Sequence, residues 1–341
     1  MKSGIEISVV SPVFRGEDCV AELVRRTLIA LSELSDRFEL ILVDDGSPDA
    51  SWTVIQEAHK RNPDHVRGLR LSRNFGQHNA IAAGLLASRG EWVVVMDCDL
   101  QDQPEEIAKL YHHAKSGFDV VHGRRKDRQD SAIKRGLSHL FFRVLGYLTD
   151  LKLDPAVGNF SICHRRVVDA VNSLQDRIRW YPGLVRWVGF RSAAVDVTHR
   201  RASGRSTYSL RRLVHFAVDI FLMCSDKPLR LTVKAGVLIS ALSVSGGVYV
   251  VILALRGKVG ILGWSSLIVS IWFLSGLVIF VLGIIGLYVG KIFNEVRGRP
   301  AFIVGEVLAV DRATNALAEL PSTSYGTSQP LRQRTIHSGP C

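Results

Sequence analysis

The residues best suited to chemistry stand together as Asp97-Cys98-Asp99-Leu100-Gln101, directly behind the apolar run Val93-Val94-Val95-Met96. Two carboxylates spaced i, i+2 can turn the same way once the chain leaves a pleated strand. Hard oxygen donors of this kind suit Mg²⁺ or Mn²⁺, which bind through one or two carboxylates plus substrate phosphates. Such an ion neutralises charge that develops on a diphosphate leaving group. A lone D-x-D pair also suits a solvated loop. Its place after an apolar strand, with Gln101 behind it, favours the ligand reading.

Three further groups carry chemical potential. Asp44-Asp45-Gly46-Ser47 follows Leu40-Ile41-Leu42-Val43. A carboxylate there can accept a hydrogen bond from a base N–H and so select a nucleotide, while Asp45-Gly46-Ser47 equally suits a turn that caps the next helix. Ser11-Pro12-Val13-Phe14-Arg15-Gly16-Glu17 closes the first apolar run. There Phe14 could stack on a base and Glu17 could bind ribose, or the segment is a plain strand-to-helix turn. Basic residues gather in Arg124-Arg125-Lys126-Asp127-Arg128, with Lys134 and Arg135 beyond. Planar guanidinium forks suit phosphate oxygens, and a solvated basic loop would be drawn to anionic lipid all the same. Neither G-x-G-x-x-G nor G-x-x-x-x-G-K-[ST] occurs, so dinucleotide and P-loop readings lack support.

These groups need elements to position them. Short β-branched or apolar runs at Ile5–Val10, Glu39–Val43, Val66–Leu71, Trp92–Met96 and Asp119–His122 alternate with helix-length patterns at Val20–Ser32, Trp52–His59, His78–Ala87 and Pro104–Ala114. That alternation predicts an α/β fold, a mostly parallel sheet covered by helices on both faces. Ligands in such sheets bind beyond the carboxyl ends of the strands, where the polar groups fall.

The rest of the chain changes character. Residues 231–289 are almost free of charge, and two runs, about 231–255 and 265–289, each exceed the ~20 residues needed to cross ~30 Å of hydrocarbon. The short linker from Arg256 to Trp264 makes them a hairpin. Lys227, Arg230 and Lys234 before it, and Lys291, Arg297 and Arg299 after it, put both ends in the cytoplasm by the positive-inside bias. Between Leu210 and Leu222, apolar residues at three- and four-residue spacing behind Arg211 and Arg212 suit either an amphipathic helix at the membrane interface or one packed on the soluble domain. From Asp311 onward the composition predicts disorder. Ile5 to Phe14, interrupted by Glu6 and Pro12, reads as a buried strand and not a signal peptide, which keeps the soluble domain in the cytosol. Cys19, Cys98, Cys163, Cys224 and Cys341 have no C-x-x-C spacing and read as reduced thiols. The net charge of +11 asks for an anionic partner. The apolar tail favours lipid headgroups or phosphorylated substrates over nucleic acid, whose binders interleave basic and aromatic residues on one face.

Taken together, these groups resemble family 2 glycosyltransferases of the GT-A fold. The closer match is to the branch that makes polyprenyl-phosphate sugars, including dolichol-phosphate mannose synthases and bacterial undecaprenyl-phosphate glycosyltransferases. The resemblance covers roughly residues 5–305. It rests on the P-x-[YF] start at Pro12, on Val43-Asp44-Asp45-Gly46-Ser47, and on Leu71-Ser72-Arg73-Asn74-Phe75-Gly76. Met96-Asp97-Cys98-Asp99-Leu100-Gln101-Asp102, Gly123-Arg124-Arg125, Gly204-Arg205-Ser206-Thr207-Tyr208-Ser209 and Lys227-Pro228-Leu229-Arg230 complete it.

The resemblance implies a cytosolic GT-A catalytic domain at 1–208, an amphipathic interfacial segment at 209–230 and two transmembrane helices within 231–290. A cytosolic juxtamembrane segment at 291–310 and a disordered tail at 311–341 follow. It implies that Pro12, Phe14, Glu17, Asp45 and Asp97 hold the nucleotide sugar, and that Asp97, Asp99 and Gln101 hold Mg²⁺ or Mn²⁺. Arg125, Arg128, Lys134, Ser138, Arg201, Ser206 and Tyr208 would bind the acceptor phosphate, with Asp99 and Arg125 as the catalytic pair. The implied reaction moves a sugar, with inversion, from a UDP- or GDP-sugar to a polyprenyl phosphate. It would occur in a homo-oligomeric integral membrane protein (of the inner membrane in a bacterium) with both termini cytoplasmic.

The chain departs from the pattern in places. The family's Tyr-Asn-Glu is Phe14-Arg15-Gly16, leaving Glu17 one position late, and G-D-F-R has become Gly158-Asn159-Phe160-Ser161. Ser-Lys-Tyr has become Ser206-Thr207-Tyr208. A general base at position 159 is thereby excluded. A lipid monophosphate needs none, because its second pKa near ~6 leaves it largely dianionic at neutral pH. The rival readings fit less well. A processive polysaccharide synthase would need a Q-x-x-R-W motif, and Gln175 to Trp180 is one residue too long for it. A membrane scaffold that kept the fold without catalysis would not need the intact Asp97, Asp99 and Gln101 set.

Overall fold

The computed structural model describes residues 4–125, 157–174, 179–198, 227–256 and 263–308. Each apolar run that alternates with a helical pattern forms a strand. They are β1 (Ile7–Val13), β2 (Phe38–Asp44), β3 (Val66–Leu71), β4 (Trp92–Val95) and β5 (Val120–Arg125). Between them lie α1 (Val20–Ser32), α2 (Ser51–Arg61), α3 (Gln77–Ala87) and α4 (Ile107–Lys115), the last preceded by a 3₁₀ turn at Pro104–Glu106. Then come β6 (Val157–His164), α5 (Arg165–Ser173), α6 (Tyr181–Trp187) and β7 (Ser192–Val197). Two long helices, α7 (Lys227–Leu255) and α8 (Trp264–Val296), and a last strand, β8 (Val304–Leu308), end the described chain.

The chain divides into a sheet unit, residues 1–129, 156–203 and 299–341, and a helical unit, residues 130–155 and 204–298. In the sheet unit the strand order is β7-β5-β6-β4-β1-β2-β3-β8. β1 pairs in parallel with β2 and β4, β2 with β3, and β5 with β7. β6 lies antiparallel between β4 and β5, and β8 antiparallel on β3. Six strands therefore point their carboxyl ends the same way, as the mostly parallel expectation required. The central strands β1, β2 and β4 are largely apolar because both faces are covered. α1, α2 and α4 pack one face through Leu23, Leu31, Trp52, Ile55, Ile107 and Leu110. α3, α5 and α6 pack the other through Ile81, Leu85, Val167, Val171, Tyr181 and Leu184. Gly84 lets α3 lie directly on β1, since a Cβ there would fall 2.3 Å from Val10 Cγ1.

β8 carries no clear signal in the sequence, yet it pairs along β3 and is half-buried there. Leu308 reaches over Gly68 and Trp52 Nε1 donates to Glu306 Oε2 at 3.0 Å, while Phe302, Val304 and Val307 pack on the α3 side.

In the helical unit, α8 is the more apolar described stretch. Ser270–Gly290 is 21 residues of mean hydropathy 2.4, with none of it buried, so by length and composition it can cross a membrane. α7 spans 29 residues and exposes Val237, Leu238, Leu242 and Tyr249. Of the segments expected to form the interfacial helix and the hairpin linker, residues 209–226 and 257–262 lie outside the described residues, as does the expected disordered tail, while residues 227–230 begin α7.

Candidate functional site

The carboxyl ends of β1, β2 and β4 bring their loops together. Asp45 N donates to Val13 O at 2.8 Å, Arg15 N to Ser47 Oγ at 3.1 Å, and Gly16 N to Ser51 Oγ at 2.9 Å. Arg15 achieves this with φ 55, a left-handed conformation that an arginine adopts at a cost. Glu17 Oε2 accepts the amide of Ala50 at 2.9 Å, ahead of α2, so one oxygen of the residue proposed for ribose is spent on a helix start. Pro12 is buried in β1, whereas Phe14 is 44% exposed with the Arg15 guanidinium 5.6 Å from its ring centroid.

At the end of β2 both carboxylates are buried. Asp44 Oδ1 accepts from Ser47 N at 3.1 Å, and Arg70 lies 3.5 Å from Oδ2. The two oxygens of Asp45 accept the amides of Phe75 at 2.7 Å and Gly76 at 2.9 Å. Burial pushes both carboxyls above the ordinary aspartate value, and the amide donors offset this only in part. Gly46, at φ +64, allows the close approach, because a Cβ there would fall 2.5 Å from the carbonyl carbon of Arg73. The Leu71–Gly76 motif thus serves Asp45, with Arg73 stacked 4.1 Å from the Phe75 ring centroid.

The loop after β4 is built differently. Cys98 turns inward beside Gly16, where burial pushes its thiol up to about 12. Asp97 and Asp99, one position either side, remain half-buried and exposed. Leu100 has φ 58, an uncommon conformation for leucine, and the turn carries Gln101 back so that its amide N and Nε2 donate to Asp99 at 3.1 and 2.6 Å. The Gln101 Oε1 remains on the other limb of the amide as an oxygen donor. Asp97 Oδ1 accepts from Gln77 Nε2 at 2.6 Å and from Asn159 Nδ2 at 3.1 Å. The sequence marks Asn159 only as a missing base, and the one signal for Gln77 is that it directly follows the Leu71–Gly76 motif.

Arg125 is the last residue of β5. Arg124 is ion-paired to Asp196 at 2.6 Å, so this member of the basic run is already engaged. Arg128, Lys134, Ser138, Arg201, Ser206 and Tyr208 lie outside the described residues. The structure therefore gathers Pro12, Phe14, Glu17, Asp45, Asp97, Asp99 and Gln101 at one end of the sheet and puts Arg125 at the same end of β5. Among the described residues no three His, Cys, Asp or Glu side chains form a metal cluster. Two carboxylates and an amide oxygen still suit a Mg²⁺- or Mn²⁺-type ion that takes its remaining ligands from a substrate diphosphate. Cys19, Cys98 and Cys163 are free thiols.

A model of the glycosyl transferase family 2 matches residues 8–171. An undecaprenyl-phosphate 4-deoxy-4-formamido-L-arabinose transferase of Pseudomonas aeruginosa is 35% identical over 332 residues, covering 95% of this chain and 97% of that protein. The protein of the same name from Shewanella sediminis is 33% identical, covering 91% and 95%. A solved glucosyl-3-phosphoglycerate synthase of Mycobacterium tuberculosis, in complex with Mn²⁺, UDP-glucose and phosphoglyceric acid, is more distant. It shares 19% identity over 65% of this chain and 79% of its own, with a TM-score of 0.45.

Proposed function

The chain belongs to glycosyl transferase family 2 and has its GT-A fold, and from that premise we propose that it transfers a sugar from a nucleotide-diphosphate donor to the phosphate of a polyprenyl phosphate at a membrane surface. The observation that carries the donor half is the Asp97/Asp99 pair, presented at the carboxyl end of β4 with Gln101 folded onto Asp99. Asp97, Asp99 and the Gln101 amide oxygen would hold Mg²⁺ or Mn²⁺, which when bound neutralises the departing diphosphate. The β1 and β2 ends, with Pro12, Phe14, Glu17 and Asp45, would receive the nucleoside. Whether it is uridine or guanosine is decided by what those ends offer the base edge.

On the acceptor side, Arg125, Arg128, Lys134 and Ser138, with Arg201, Ser206 and Tyr208, would hold the lipid phosphate against the anomeric carbon. A phosphate oxygen forms the new bond to that carbon as its bond to the nucleoside diphosphate breaks. One displacement of this kind inverts the anomeric centre. The group beside Asp97 is the Asn159 amide, which cannot take a proton, and a dianionic phosphate supplies its own nucleophile. What the protein adds is orientation and electrostatic complementarity.

Membrane anchoring follows from the order of the chain. It leaves the sheet unit after β7 and rejoins it at β8. A domain lying on one side of a bilayer requires an even number of crossings between those points, so a spanning α8 asks for a second crossing, which α7 is long enough to make. By the positive-inside bias the basic flanks would put both ends and the sheet unit in the cytoplasm.

The test is to incubate the purified protein with UDP- and GDP-sugars and polyprenyl phosphate and weigh the lipid product. A lipid heavier by one phosphate-linked sugar, lost on chelation and restored by Mg²⁺ or Mn²⁺, is the expected result. Sugar transfer to a soluble acceptor with none to the lipid would overturn the reading.

A further inference from the structure

We propose that Gln77 and Asn159 are positioning residues that clamp Asp97 by one oxygen and so set the affinity of the cation site. This rests on the reading of Asp97 as a ligand of the donor's cation. Both side-chain amides donate to the same atom, Asp97 Oδ1, at 2.6 and 3.1 Å. They come from unrelated places in the chain, the first residue of α3 and the third residue of β6.

The backbone that carries each amide is itself held. The amides of Phe75 and Gly76, which lead into Gln77, are fixed by the buried Asp45 carboxylate, and Asn79 Nδ2 donates back to Phe75 O at 2.8 Å. On the other side, the Asn159 carbonyl accepts from Ser161 Oγ at 3.0 Å, and that hydroxyl lies 2.8 Å from Tyr181 Oη. Ser161 is 0% and Tyr181 3% exposed, so this support is rigid. Two buried tethers, one through Asp45 and one through Tyr181, therefore converge on a single carboxylate oxygen.

The chemistry of the donors matters as much as their geometry. An arginine or lysine in either place would orient Asp97 equally well but would compete with a cation for its charge. These two amides orient the carboxylate without bringing a positive charge of their own. Hydrogen-bond partners of metal ligands act in this way, and their loss typically weakens metal binding by about 10- to 100-fold.

The test measures Mn²⁺ binding directly, by calorimetry or by paramagnetic resonance, in the presence of UDP or GDP and without acceptor. The intact protein is compared with Gln77→Ala, Asn159→Ala, the double variant and Asp97→Asn. Each single variant is expected to weaken Mn²⁺ binding by about 10-fold and the double variant by about 100-fold. Turnover should show a raised Mn²⁺ requirement but recover most of kcat at saturating Mn²⁺, which a purely structural lesion would not allow. Gln77 is exposed, so its variant keeps the test open if Asn159→Ala folds poorly. Normal Mn²⁺ binding in Gln77→Ala and in the double variant, with Asp97→Asn impaired, overturns the clamp. Normal Mn²⁺ binding in Asp97→Asn instead removes Asp97 from the ion, and the reading beneath the clamp falls first.

Discussion

Two pairs of carboxylates sit at neighbouring strand ends, and the fold treats them in opposite ways. Asp44 and Asp45, after β2, are 0% and 2% exposed, and three of their four oxygens accept the amides of Ser47, Phe75 and Gly76 while Asp44 Oδ2 faces Arg70. Asp97 and Asp99, after β4, face outward and are met by the side-chain amides of Gln77, Asn159 and Gln101. A carboxylate bound to backbone amides fixes where the chain goes, and removing it releases the loop. One met by side-chain amides from separate elements is held in a set direction at the surface of the site. The same residue type thus builds the site at one strand end and works in it at the next.

The widest separation between the two pairs should appear in turnover. Asp97→Ala or Asp99→Ala is expected to lower kcat/KM by about 10²- to 10³-fold, the scale of losing a main electrostatic stabiliser. The melting temperature should move by only a few degrees, because neither residue supports the core. Assay and calorimetry on one preparation check both halves, and a large loss of stability would erase the distinction.

Gly46→Ala should do the reverse. Its positive φ costs about 1–2 kcal/mol for an L-residue, and the contact with the Arg73 backbone adds to that, giving on the order of 3 kcal/mol in chemical denaturation. Asp45→Ala should cost about 2 kcal/mol, since two part-buried amides lose their acceptors. Nucleotide binding should fall in proportion to loop disorder and without any change in Mn²⁺ dependence. A stability equal to that of the parent protein would place Asp45 with the working pair.

The smallest effect is one of pH. Burial holds the Asp45 carboxyl above its ordinary value of 3.8, so the unfolded chain ionises first as pH rises through that value. The unfolded state then binds fewer protons than the folded one, and stability falls with rising pH until the folded carboxyl also ionises. Asp45→Asn removes this contribution. The stability of the parent protein relative to Asp45→Asn should therefore decline as pH rises from below 3.8, followed by denaturation at a series of acid pH values. A rising difference would mean that the amide donors outweigh burial.

The sequence places both pairs at strand ends and leaves their partners unread. β2 spans Phe38–Asp44 and β4 Trp92–Val95, within a residue of the apolar runs at Glu39–Val43 and Trp92–Met96, so the sequence alone places the loops that carry both pairs. Asp44 and Asp45 suit base readers or a turn in the sequence alone. The contacts of Asp45 with the amides of Phe75 and Gly76, 30 and 31 residues away, are a partnership that no local pattern encodes. β6 escaped notice because Gly158, Asn159 and Ser161 are poor strand formers. It stands as a strand only because β4 and β5 flank it, and with it went the view of Asn159 beside Asp97. Leu100 carries no glycine to announce its left-handed turn.

β8 has a consequence for the order in which the molecule can be completed. Its Glu306 meets Trp52 across 254 positions, and both long helices are synthesised in between. Until the ribosome has passed them, β3 presents an unpaired edge of the kind that recruits foreign strands. Contacts this distant in sequence also form slowly. The nascent sheet therefore waits for the apolar segment to be made before its last hydrogen bonds can close. A closed β3 edge is in effect a record that the chain has been read through α7 and α8.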